Sequence, residues 1–164
     1  MTQHVTATFK TRSAAEEAVT NLIDGGFFQE DISMLVTDTT RGASFKIKEG
    51  TKSGEYEALG AEAGGAFGAI TALLISASII PSGGLSLVAI GPIAATLAGL
   101  GVGGLAGGIV GGLVGSGIPE HEAKVFEDEV KGGSILLAVS VENSDERKVA
   151  ERILKRTEAT KVAA

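Results

Sequence analysis

Residues 5–38 read VTATFKTRSAAEEAVTNLIDGGFFQEDISMLVTD, and their patterning decides the fold. Val5, Ala7 and Phe9 alternate with polar residues, the period of a half-buried strand. Ser13, followed three residues later by Glu16, makes a capping box; Ala15, Ala18, Val19, Leu22 and Ile23 then keep helical spacing until Gly25-Gly26 stops them. Ile32 to Val36 reads as a second strand. The far end of the chain repeats this grammar. Ile135, Leu137, Val139 and Val141 alternate, Asn143 or Ser144 caps, and Val149, Ala150, Ile153 and Leu154 follow at helical spacing before Thr160 to Ala163 returns as a short strand. Two strand-helix-strand halves predict an α+β chain, a ferredoxin-like split βαβ…βαβ sandwich of four strands with two helices on one side.

Between the halves, residues 63–119 carry no charged side chain. A turn-rich run from Thr37 to Gly54, with Phe45 and Ile47 as a small extra strand, leads into this middle. A helix from Pro119 to Lys131 leads out, with Ala123, Phe126 and Val130 on one face and Gly132-Gly133 at its end. Pro81-Ser82-Gly83-Gly84 is a turn between two apolar runs, so the middle is expected to be a helical hairpin with arms near 56–80 and 85–117. Small residues recur every fourth position in each arm: Gly60, Gly64, Gly68, Ala72 and Ser76, then Gly91, Ala95, Gly99, Gly103, Gly107, Gly111 and Gly115. A helical glycine costs about 1 kcal/mol relative to alanine, so such a register points to a compensating close approach between helices. Those nine glycines are therefore the expected helix-packing and oligomerisation positions. Residues 1–54 and 119–164 together would form the sandwich domain, and 55–118 an inserted hydrophobic glycine-zipper hairpin.

Composition narrows the function. The chain has 164 residues, 24 glycines, 4% aromatic residues and no cysteine, which removes disulfides, thiol catalysis and cysteine metal sites. A net charge of −6 with interspersed signs lacks the concentrated basic patch that nucleic acid requires. His4 and His121 are the two histidines; Glu120, His121 and Glu122 are consecutive, so they point around a helix instead of converging on a metal. Gly99, Gly101 and Gly104 match GxGxxG but follow an apolar helical run, not a strand. No catalytic, cofactor or metal site is expected. At 1.5 Å per residue the two arms would be about 37 and 49 Å long, enough to cross a hydrocarbon layer of about 30 Å and return. That places the protein at the cell membrane with its sandwich cytoplasmic; the alternative is a cytoplasmic assembly in which hairpins bury one another.

The opening segment quoted above, the block GAEAGGAFGAITALL at 60–74 and the closing IPEHEAKVFEDEVKGGSILLAVSV at 118–141 resemble bacterial general stress proteins of the YflT-like kind and the low-temperature-induced glycine-zipper proteins. The similarity covers nearly the whole chain. It implies stress-linked expression and membrane or assembly association, with no catalytic residue to carry over. The expected function is that of a non-enzymatic, stress-associated structural protein that forms homo-oligomers through its hairpin and inserts in or binds a membrane. The alternative is a soluble oligomeric scaffold or carrier whose pooled hairpins enclose a hydrophobic ligand, a lipid or quinone, or dock a partner enzyme.

Overall fold

Alternation sets β1 (Gln3–Phe9), which buries Val5, Ala7 and Phe9 completely. The computed structural model describes residues 3–45, 65, 68, 70, 74, 77, 79–82, 85–99 and 108–164. After β1 comes α1 (Arg12–Asp24), whose cap is Thr11 and not Ser13: the Thr11 hydroxyl accepts from the Ala14 N–H at 3.2 Å. Thr11 holds the extended backbone that a cap needs, whereas Ser13 already lies inside the helix. Gly25 and Gly26 end α1, with Gly26 at φ +97°. β2 (Ile32–Thr37) follows, buried along its whole length.

Phe45 does not form the expected extra strand. It is the last residue of α2 (Asp38–Phe45), a helix that starts where the Thr37 hydroxyl accepts from the Thr40 N–H at 3.1 Å. Thr40 Oγ1 in turn donates to the Gly133 carbonyl at 3.3 Å. Ile47 lies outside the described residues.

The larger departure concerns Pro81 and Ser82, expected in a turn between two helical arms. Both lie instead in a strand, β3 (Ile79–Ser82), which pairs antiparallel with β4 (Leu85–Ile90), Ile79 opposite Val88 and Ser82 opposite Leu85. The second arm is therefore not one helix from 85 to 117: its described residues form β4, then α3 (Pro92–Gly99) and α4 (Gly108–Gly115). Of the first arm, Gly65, Gly68, Ile70 and Leu74 are helical. Burial on both faces explains the misreading. Leu87 and Ala89 enter one core while Val88 and Ile90 enter another, so β4 reads as an unbroken apolar run, which periodicity cannot tell from a buried helix. Pro81 sits on the outermost strand, where a missing N–H is tolerated. Among the described residues no helix is long and apolar enough to cross a membrane.

The chain closes with α5 (Glu120–Lys131), β5 (Ile135–Val141), α6 (Ser144–Arg156) and β6 (Lys161–Ala163). Asn143 caps α6 through two bonds, accepting from the Asp145 and Glu146 N–H groups at 3.0 and 2.9 Å. Asn143→Ala is expected to cost about 1 kcal/mol, read as a lower chemical-denaturation midpoint with an unchanged slope.

The result is a mixed α/β structure around one antiparallel sheet of order β3-β4-β2-β5-β1-β6. Its helices do not all lie on one side. On β5, Ile135, Leu137, Val139 and Val141 join a core with α1 and α6, while Leu136 and Ala138 join a second core with α3, α4 and α5. Successive strand residues point to opposite faces, so the sheet is the middle of three layers. Among the described residues of the middle segment, β3 and β4 extend the sheet, and α3 and α4 cover its second face.

Candidate self-association surface

Two small-residue stripes run side by side along α4, one through Gly111 and Gly115 and one through Gly108, Gly112 and Ser116. The sequence favours the first for packing. The structure turns the second inward. A Cβ built at Gly112 would stand 1.9 Å from Leu97 Cδ2, so this glycine is what lets α4 seat on α3. Ile109 and Leu113 are buried beside it, and the Ser116 hydroxyl donates to the Gly112 carbonyl at 3.0 Å. A Cβ at Gly111 meets nothing within 4 Å.

The other expected packing glycines disperse. Gly91 is not helical: with φ +83° it joins β4 to α3, and a Cβ there would lie 2.5 Å from the Ile32 carbonyl oxygen and 2.7 Å from Ser33 Cα. It packs against β2, helped by a bond from the Ile93 N–H to Ser33 Oγ at 3.2 Å. Gly68 is helical and buried, Gly99 ends α3, and Gly115 ends α4 with an exposed face. Gly60, Gly64, Gly103 and Gly107 lie outside the described residues. Sequence reasoning missed Gly112, although the parallel spacing of Gly104, Gly108, Gly112 and Ser116 carried the signal.

What remains outward on α4 is an uncharged strip: Val110 and Gly111 half-buried, Gly115 exposed, and Val114 with 42% of its surface in solvent. The groove beside it is walled by Glu120, Lys124 and Glu127 of α5. Those walls neutralise themselves. Lys124 Nζ sits 2.9 Å from Glu120, which holds the Glu120 carboxyl below its ordinary pKa and raises that of the Lys124 ammonium. Lys131 pairs with Glu127 one turn on. An apolar strip with a charge-balanced rim presents no net repulsion to a second copy of itself.

The histidines stand apart from this strip. His4 is half-buried, its Nδ1 3.3 Å from Ser140 Oγ, and burial pushes the imidazole pKa down, keeping the ring neutral at pH 7. His121 is largely exposed, 3.8 Å from Glu122. Among the described residues no group of three His, Cys, Asp or Glu side chains is placed to hold a metal. No family model, curated protein or solved structure matches the chain.

Proposed function

We propose that this is a non-enzymatic protein that self-associates through the outer face of α4 and its groove on α5, and that the assembly binds a membrane surface or another apolar phase. The observation that carries the reading is the uncharged strip of Gly111, Val114 and Gly115 facing outward, flanked by the half-buried Val110, on a helix whose other face already fills a core. A solvent-facing helix of an ordinary monomer carries polar residues there. In this reading the assembly meets a membrane through that outer face, and among the described residues no helix is long and apolar enough to cross one. The resemblance to bacterial stress proteins supplies its context, induction under stress. For the architecture, we read β2-β5-β1-β6 as a ferredoxin-like core with β4 and β3 added beyond β2. That order, with antiparallel neighbours and a helix between the strands of each half, supports it.

Sedimentation without detergent tests the reading. Wild-type protein should sediment as an oligomer, and Gly111→Lys with Val114→Lys should weaken association by at least about tenfold, because an unpaired ammonium buried in an apolar contact is not compensated. Both positions face open space, so circular dichroism and melting temperature should stay as in wild type. An unchanged oligomer in the folded double variant would place the contact elsewhere. Flotation with phospholipid vesicles then separates membrane binding from a purely proteinaceous assembly.

A further inference from the structure

A row of small residues crosses the sheet beneath the first turn of α5. Thr6 on β1 is register partner to Ala138 on β5 and Ala163 on β6, and Ala123 covers that face from above. Side chains this short leave space under the connection through Gly117, Ile118 and Pro119. The space is a cavity of about 190 Å³, floored by His4 and Thr6. That is below the roughly 300–1,000 Å³ of sites for drug-sized ligands, so it suits a small metabolite.

Two features of the lining point to a guest. Thr6 is 1% exposed and its hydroxyl has no hydrogen-bond partner, a cost that a bonded guest relieves. Glu122 and Arg147 line the same cavity from different helices, α5 and α6, which cover opposite faces of the sheet. One carboxylate and one guanidinium thus stand on different walls, and no ion pair among the described residues joins them. Each has a weak contact elsewhere: Glu122 with the exposed His121 at 3.8 Å, and Arg147 through Nε with Glu151 at 3.4 Å.

We propose that this cavity binds a small zwitterion of the α-amino-acid class, its carboxylate on Arg147, its ammonium on Glu122, and the Thr6 hydroxyl and His4 imidazole bonding the body of the molecule. A simple carboxylate would meet the anion Glu122, and a simple amine would meet the cation Arg147. A molecule carrying both charges satisfies both walls. The cavity and the groove on the outer face of α4 share no lining residue, so the site stands or falls independently of the self-association reading.

Isothermal titration of the full chain with the twenty amino acids, acetate and ethylamine tests it. At least one amino acid should bind saturably, with acetate and ethylamine weaker by at least about tenfold. Glu122→Gln and Arg147→Gln should each weaken that binding about tenfold or more, and Thr6→Val should weaken it while leaving the fold intact. All three variants should keep the wild-type circular dichroism spectrum. Failure of every amino acid to bind at millimolar concentration would overturn the proposal. So would acetate binding as tightly as the best zwitterion, or affinity indifferent to Arg147→Gln in a folded variant.

Discussion

Gly91→Ala should destabilise the protein more than alanine at any other described glycine, by about 3 kcal/mol or more, the sum of a left-handed backbone for an L-residue and a steric overlap that cannot relax. At φ +83° an alanine pays the first penalty whatever surrounds it. The second arises because the atoms it meets, the Ile32 carbonyl oxygen at 2.5 Å and Ser33 Cα at 2.7 Å, belong to the backbone of β2 in the middle of the sheet. Neither moves without breaking the pairing of β2 with β4 and β5. Gly111→Ala provides the internal contrast. Its Cβ enters open space, and the gain in helix propensity should leave stability unchanged or raised by up to about 1 kcal/mol. Gly112→Ala falls between, because what it meets first is the tip of the Leu97 side chain, which can rotate away. Urea denaturation of the three variants gives the ranking directly. Equal losses at Gly91 and Gly111 would mean that the four-residue register, and not the close approach to β2, is what these glycines serve.

That contrast shows where the sequence is legible. Periodicity is readable where one face of an element is wet. The helix α6, with Ala150 and Leu154 inward and charged residues outward, and α5, with Ala123, Phe126 and Val130 inward, both stand where the spacing placed them. Strands β1 and β5 also stand at their expected positions, although both are buried on both sides, because their β-branched and alternating residues are flanked by clear turns. Legibility fails where both faces are buried and side chains are small. Residues 79–99 contain neither charge nor contrast, so strand and helix share one signature there, and the switch from β4 to α3 rests on the backbone freedom of Gly91. The helix α2 was hidden for a different reason: Asp38-Thr-Thr-Arg-Gly-Ala-Ser has weak helix propensity. It is held by tertiary contacts, the Thr37 cap, the Thr40 bond to Gly133 and the burial of Arg41 and Phe45, with Arg41 paired to Asp38. In α4 the glycine spacing offers two adjacent stripes, and only the position of Leu97 decides that Gly112 packs within the chain while Gly111 faces open space.

Phe126→Ala should cost about 3–5 kcal/mol, as expected for an aromatic side chain lost from a close-packed interior. Phe126 is fully buried in the core formed by α3, α4, α5 and one face of the sheet, with Leu113, Leu136 and Val130 in the same cluster. Phe9 is its counterpart on the opposite face, fully buried among α1 and α6 residues, and Phe9→Ala should cost a similar amount. The more telling quantity is their coupling. The two side chains belong to separate clusters divided by the sheet, so the double variant should lose the sum of the single losses to within about 0.5 kcal/mol, as distant sites do. Yet the strands serve both cores at once: Leu136 enters one and Leu137 the other along the same backbone. Loss of either layer therefore exposes the reverse side of strands that the remaining layer needs, and unfolding should stay a single transition in each single variant when circular dichroism and calorimetry are compared. A split transition in Phe126→Ala, with the α1 and α6 face surviving, would show instead that the layer of α3, α4 and α5 folds onto a core already stable without it. The apolar middle would then be a covering that can detach, and the face of the sheet beneath it would be the surface available to a partner.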